Sequence, residues 1–357
     1  MRIPISLLLA ISAFGVALVA TPLVMVLARR IGAVDRPGPR RVHTKPIPTA
    51  GGLAAAIAVL GVAWGARLVS ERIRELDTRP LIGLTLAAVV ILILGLVDDV
   101  KGVRPWWKIA GVVAAAVVLY AYGYGIPLIS NPFGDAIGSG VFNLPLTIGW
   151  VLVVVNAINL IDGLDGLATG VVLIASSAMW FAGRTNGDLY VMFLTALVIG
   201  ATAGFLRFNF PPARVFMGDT GSQFLGLVLA AVALLENQKG TAAVTLLFPL
   251  VAFAVPVADS VIAFLRRAFG GGSVFRADAE HIHHRLLRLG LSQKHVVFAL
   301  WFLSAYCAVM AVILATLEPG LAVVLALFLG VGIFFAFKAL DFLDRQLSGG
   351  SRTTRAD

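Results

Sequence analysis

The chain has 357 residues, 59% of them hydrophobic and 13% charged, with a formal charge of +9. A soluble domain carries about a quarter charged residues, and a water-soluble core does not absorb this much apolar surface, whereas every bilayer span requires it. That balance excludes a soluble enzyme, leaves no room for a second globular domain, and sets the positive charge against a membrane rather than against nucleic acid.

Apolar runs between polar breaks predict a single all-α polytopic domain over residues 1–357, with about eleven transmembrane helices. In chain order they are Pro4–Ala28, Ala50–Ala66, Leu81–Val97, Ile109–Ile126, Leu146–Ile161, Leu167–Ala182, Leu189–Leu206, Gly221–Leu235, Thr241–Leu265, Val296–Leu317 and Leu321–Leu340. The first is too long for the core of a signal peptide and ends on Arg29-Arg30, so it reads as a retained span. Gly221–Leu235 is the weakest by length, and Gly200-Ala-Thr-Ala-Gly204 has the spacing that lets helices approach closely. The lone Cys307, inside an apolar run, reads as a packing residue. Residues from about 346 to 357 read as a short disordered tail.

Numbering the loops alternately sorts the cations. One set (29–49, 98–108, 162–166, 207–220, 266–295 and the C-terminal tail) holds 21 of the 28 Lys and Arg. The other holds Arg2, Arg67, Arg72, Arg74, Arg79, Arg184 and Lys239, balanced by seven acids. The positive-inside rule then puts the first set and the C-terminus in the cytoplasm, and the N-terminus outside.

The chemistry-bearing stretches fall in the cytoplasmic set. Arg40-Arg41-Val-His43-Thr-Lys45-Pro-Ile-Pro-Thr-Ala-Gly51-Gly52 is a proline-stiffened basic loop that either touches lipid head groups nonspecifically or sets Lys45 over a lipid phosphate. Asp98-Asp99 ends a span; carboxylates at a helix C-terminus oppose the helix dipole, so something positive belongs beside them. A solvated helix end is the other reading. Asn156, Asn159, Asp162 and Asp165 recur every third residue as a span ends, with Gly163 and Gly166 giving a tight turn, and read as a ligand site or a polar hinge. Asp219, in Met-Gly-Asp219-Thr-Gly-Ser222 at the start of a span, suits either an N-cap or a hard divalent cation against an anion cradle. His281-Ile-His283-His284-Arg285 has no nearby cysteines to complete a structural zinc set, and suits an anion such as a diphosphate, or a solvated basic face. Asp259, inside an apolar stretch, is either functional or paired for structural reasons.

In this order, from about Asp35 to about Val297, these stretches resemble the polyprenyl-phosphate N-acetylhexosamine-1-phosphate transferase family. Asp98-Asp99 match its aspartate pair and Lys108 its following lysine; Asn159, Asp162 and Asp165 match its Asn-x-x-Asp-Gly-x-Asp stretch. Asp219 matches its magnesium aspartate, His283 and His284 its histidine loop, and Lys45 with Gly51-Gly52 its first cytoplasmic loop. The resemblance implies an Mg²⁺ enzyme of the cell membrane, with Mn²⁺ as the other candidate, a cytoplasmic active site, and a homodimer as the default assembly. It implies catalytic roles for Asp98, Asp99, Asp219 and His283, and metal ligation by Asp219 with Asp99. Substrate binding falls to Lys45, Lys108, Asn159, Asp162, Asp165, His281, His284 and Arg285.

The family's phospho-MurNAc-pentapeptide branch has three consecutive histidines followed by an acid, whereas this chain reads His-Ile-His-His-Arg. It looks like the branch that transfers GlcNAc-1-phosphate from UDP-GlcNAc to a polyprenyl phosphate such as undecaprenyl phosphate, releasing UMP, at the start of lipopolysaccharide, teichoic acid or related envelope glycan synthesis. The pentapeptide branch is the nearest alternative. A membrane transporter is the alternative from another class, disfavoured because the acids gather at one face with no internal repeat.

Overall fold

In the computed structural model, the residues described are 4–37, 45–129, 137–238, 251, 253, 254, 256–259 and 282–353. They form twelve helices: α1 (Ile5–Ile31), α2 (Gly52–Val69), α3 (Glu71–Arg74), α4 (Thr78–Lys101), α5 (Pro105–Ala121), α6 (Asn143–Ile161), α7 (Leu167–Thr185), α8 (Leu189–Asn209), α9 (Gly218–Gln238), α10 (Ile282–Arg288), α11 (Gln293–Leu314) and α12 (Pro319–Thr353). Two two-residue antiparallel ribbons, β1 (Val34–Asp35) with β2 (Ile47–Pro48) and β3 (Leu128–Ile129) with β4 (Ile137–Gly138), tie loops together. The protein is an all-α polytopic membrane protein. Among the described residues eight helices are long and apolar enough to cross a bilayer, and Pro105–Ala121 and Gly320–Ala336 are shorter apolar helices. The span expected at Thr241–Leu265 lies largely outside the described residues, as do 354–357; α12 is helical past the point where a disordered tail is expected to begin.

Local chemistry sets the helix ends. Asp77 and Asp188 accept backbone N–H bonds in the first turns of α4 and α8, and Ser292 does the same for α11. Pro105 opens α5, where its missing N–H costs nothing.

Hydropathy inverts the order of importance of the spans. The outer α4 has a mean hydropathy of 2.7 with 39% of its window buried, whereas the span in α9 has 1.4 with 83% buried. A helix wrapped by protein needs less apolar side chain than one wrapped by lipid, so the span that looked weakest is the centre of the bundle. Small residues bring its neighbours in. A side chain at Gly52 of α2 would collide with the backbone of Gly221, one at Gly95 of α4 with that of Thr220, and one at Gly226 with that of Val155 in α6. The Gly200 and Gly204 pair takes α1 as its partner, seated against the backbone of Ala10 and Phe14.

This packing converges at one end of the bundle. The segments around residues 49–52, 98–103, 159–166 and 209–222 meet there, all from the loop set that charge sorting groups on one side. The α11 helix closes this end: Trp301 Nε1 donates to the Leu167 carbonyl at 3.2 Å, its ring fills the space left by Gly170, and Phe210 and Phe298 pack beside it.

Candidate active site

The first turn of α9 is where the acids gather. Gly218 precedes Asp219 with φ of 71°, a left-handed backbone in which a Cβ would also meet Asp99, Thr49 and Ala50. That turn aims the free amides of α9 at the end of α4. Asp99 occupies them: Oδ1 accepts from Asp219 N–H at 2.9 Å, and Oδ2 from Thr220 N–H at 3.1 Å and Thr220 Oγ1 at 2.6 Å. Thr49 Oγ1 adds a fourth bond at 3.3 Å. A carboxylate disfavoured at the C-terminus of its own helix thus sits at the positive N-terminus of another.

Asp98 finds a different cation. Its Oδ2 lies 2.7 Å from Lys108 Nζ, and Val103 N–H donates to its Oδ1 at 2.6 Å. The same ammonium reaches Asp219 Oδ2 at 2.5 Å, so Lys108 bridges carboxylates from α4 and α9. Asn159 Nδ2 donates to Asp219 Oδ1 at 3.1 Å and to Ser222 Oγ at 2.9 Å. Gln223, one turn along α9, donates from Nε2 to Asp219 Oδ2 at 3.0 Å, and its buried Oε1 has no partner among the described residues. Asp219 is therefore held from three sides.

Asp162 lies just past the end of α6, close enough to Asp219, Asp99 and Asp165 to feel their charge. Burial first, and those three carboxylates next, hold its carboxyl well above the usual range. Asp165 turns elsewhere, accepting from Ala213 N–H at 2.9 Å, and Asn156 is exposed and bonds back to the Leu152 carbonyl. The structure thus brings together Asp98, Asp99, Lys108, Asn159 and Asp219, with Asp162 beside them. Lys45 is exposed in the loop before β2. His281 lies outside the described residues, as do the side chains of His283 and His284, whose backbone belongs to α10. Arg285 in that helix is buried, and Ile282 N–H at its start donates to Asp259 Oδ1 at 3.0 Å, which gives the intramembrane acid a capping role.

Three contributors escape the sequence reading. Gln223 could have been found as a polar residue four positions after Asp219 in an otherwise apolar helix. Asn209 is buried, accepts from Gly166 N–H and Thr169 Oγ1, and donates to the Val215 carbonyl, pinning two site loops together. Thr49 has no distinguishing signal within its proline-bounded loop.

The resemblance implies metal ligation by Asp219 with Asp99; in this structure every oxygen of Asp98, Asp99 and Asp219 already has a donor or cation beside it, those of Asp99 from α9 and Thr49. Among the described residues no group of three or more His, Cys, Asp or Glu is arranged to hold a metal ion. Mg²⁺ seldom uses such an all-protein cage; it takes one or two carboxylates and completes its shell with substrate phosphate and water. The oxygens of Asp219 and Asp98, already gathered around one positive charge, fit that pattern. Asp99→Ala is expected to leave two α9 amides and a buried hydroxyl unpaired, lowering stability by about 2 kcal/mol, read as a lower melting temperature in detergent.

Residues 81–237 match the model of the family described as glycosyl transferase family 4. The chain is 35% identical over 298 residues to the probable undecaprenyl-phosphate N-acetylglucosaminyl 1-phosphate transferase of Bacillus subtilis, covering 83% of this chain and 81% of that one. It is 35% identical over 306 residues to a decaprenyl-phosphate N-acetylglucosaminephosphotransferase of Mycobacterium tuberculosis (79% of this chain, 76% of the relative). It is also 30% identical over 324 residues to the phospho-N-acetylmuramoyl-pentapeptide-transferase of Halalkalibacterium halodurans (86% and 97%).

Proposed function

The chain belongs to glycosyl transferase family 4, within the superfamily of membrane transferases that act on polyprenyl phosphates, and from that premise we propose that it transfers GlcNAc-1-phosphate from UDP-GlcNAc to undecaprenyl or a similar polyprenyl phosphate, releasing UMP at the cytoplasmic face. The observation that carries the reading is the Asp98–Lys108–Asp219 bridge at the N-terminus of the central helix. The names of the Bacillus and Mycobacterium relatives support the donor and acceptor classes, and the His-Ile-His-His-Arg loop favours GlcNAc over a MurNAc-pentapeptide.

Both reactants are anions, so the barrier the protein has to lower is charge repulsion. Asp219, with Asp98 beside it, would hold Mg²⁺, which would supply Lewis-acid neutralisation of the donor's diphosphate charge. Lys108 supplies fixed positive charge at the same point and keeps the two carboxylates from repelling each other. Asn159 and Gln223 fix the rotamer of Asp219, and Asp99 fixes the helix turn that carries it. Asp162, half-buried beside the acids, and Asp165 belong to the nucleotide and sugar side, and the α10 histidines and Arg285 to the diphosphate.

A phosphate monoester has a second pKa of about 6 and is mostly dianionic at neutral pH. The lipid phosphate therefore needs little help from a base, and its oxygen attacks the β-phosphorus directly as the bond to UMP breaks. A phospho-sugar trapped covalently on Asp98 would replace this with two displacements. The donor is tested with purified protein, a polyprenyl phosphate and Mg²⁺, following UMP release and lipid-linked product from UDP-GlcNAc and UDP-MurNAc-pentapeptide in parallel. Turnover of UDP-GlcNAc alone is expected; turnover of the pentapeptide donor alone would assign the protein to the other branch.

A further inference from the structure

The central helix α9 carries no polar side chain from Phe224 to Leu235, so Gln223 marks the inner limit of its polar turn. The residue is 2% exposed, and its amide is used unevenly. Nε2 donates to Asp219 Oδ2 at 3.0 Å, while the buried Oε1 has no hydrogen-bond partner among the described residues. A buried carbonyl without a donor carries its full desolvation cost, and a polar group within a membrane span is kept at a cost that a leucine or methionine of similar size avoids. Holding Asp219 uses the nitrogen and leaves the oxygen unexplained.

The place of that oxygen accounts for it. Lys108 Nζ touches Asp219 Oδ2 at 2.5 Å and Asp98 Oδ2 at 2.7 Å, so Oδ2 is the corner of Asp219 that faces the second carboxylate. Gln223 lies one helical turn further along α9 and reaches the same corner. An N–H pointing at Oδ2 is favourable beside carboxylates. It becomes unfavourable once a divalent cation shares that oxygen, because the positive end of the bond then faces the ion. The Lys108 ammonium has donors only and meets such an ion by moving away. The Gln223 amide carries donor and acceptor on one carbon, and its last torsion is broad and two-fold, so a half-turn exchanges nitrogen for oxygen at the same reach. The atom left unpaired at the rear is then the nitrogen: the turn gives up one hydrogen bond and gains a metal–oxygen contact. Carboxylate and carbonyl oxygens are the donors that Mg²⁺ and Mn²⁺ take.

We propose that Gln223 is a further ligand of the divalent cation, its amide turning so that Oε1 joins Asp219 on the ion. The proposal rests on the reading of Asp219 as the metal carboxylate and adds one neutral oxygen to it, four residues along the same helix. Because both ligands sit on α9, whose first turn Asp99 holds, their spacing is set by the helix itself.

Mn²⁺ is the probe. It is titrated into the full chain in detergent, with and without UDP-GlcNAc, and free Mn²⁺ is followed by electron paramagnetic resonance. Protein labelled with ¹³C at the glutamine side-chain carbonyl is examined by electron–nuclear double resonance on the bound ion. The parent is expected to show a ¹³C coupling that Gln223→Leu lacks. Gln223→Leu is expected to raise the Mn²⁺ Kd by about tenfold or more, the scale on which groups around a metal alter its affinity. Gln223→Glu is expected to bind Mn²⁺ at least as tightly as the parent, because its carboxylate supplies the oxygen. A residue that only donates to Asp219 predicts the reverse, since a carboxylate cannot donate there and repels its neighbour. No ¹³C coupling in the parent, an unchanged Kd in Gln223→Leu, or a Gln223→Glu as weak as Gln223→Leu would overturn the ligand. Should a variant fail to fold, the coupling in the parent decides alone. Asp219→Asn run alongside separates the two readings: if it binds Mn²⁺ as the parent does, the metal role of Asp219 fails by itself, and the coupling still decides Gln223.

Discussion

Asp219→Asn lowers turnover of UDP-GlcNAc by about a thousandfold or more, with the melting temperature close to that of the parent. The size follows from removing a charge at the point where the transferred phosphoryl group is neutralised, where single groups are commonly worth two to three orders of magnitude. An amide keeps the shape and its oxygen still accepts from Lys108 and Gln223, while its NH2 meets Asn159 only once that amide turns its oxygen inward, at a cost of about 1 kcal/mol, so packing changes little. What it loses is the anionic oxygen that a hard divalent cation requires. The first turn of α9 stays in place because its amides are held by Asp99, which this substitution does not touch. Raising Mg²⁺ is expected to recover little. A variant retaining a tenth or more of the parent's activity would remove Asp219 from the centre of the reaction.

Lys108→Met acts on both stability and rate. Among the described residues, the ammonium is the one positive group between Asp98 and Asp219, at 2.7 and 2.5 Å. Without it two carboxylates face each other across the α4–α9 contact. Breaking a fully buried pair costs roughly 3–5 kcal/mol; the Lys108 side chain is 30% exposed, so a loss of about 2 kcal/mol is expected. Turnover falls about a hundredfold, because a fixed charge facing the phosphates is gone as well. Lys108→Arg keeps the charge but spreads it over a planar fork that does not place one point between two carboxylates, so it is expected to restore stability better than rate. Melting curves and initial rates on the same preparations separate the two effects. Equal recovery of both by Arg would reduce Lys108 to a structural counter-ion.

The membrane class and most spans are legible in the sequence because hydropathy reports contact with lipid. The same measure misleads at α9, whose low hydropathy reflects protein on every side, and where Gly52, Gly95 and Gly226 show the close approaches that a single sequence leaves unpaired. The acids of the site are legible because each stands where a carboxylate calls for a partner: opposing the dipole at a helix C-terminus, in a tight turn as a span ends, or beside small residues and free amides at a helix start. Their division of labour is not. Asp98 and Asp99 are neighbours with the same chemistry, and only the packing of α9 against α4 turns one toward a lysine and the other toward backbone amides. Asp165 and Asp259 also accept loop and helix amides in the fold, bonds that their sequence signals do not reveal. Gln223 and Asn209 lacked a motif, although each is a buried amide whose bonds fix the site.

Binding of UDP-GlcNAc to the purified protein, measured calorimetrically with Mg²⁺ and again with EDTA, in the parent and in Asp219→Asn, decides whether this cluster is the donor site. The parent is expected to bind only with Mg²⁺, and the variant to lose the Mg²⁺-dependent heat. Mg²⁺-dependent binding of equal strength in both proteins would place the metal and the donor diphosphate elsewhere.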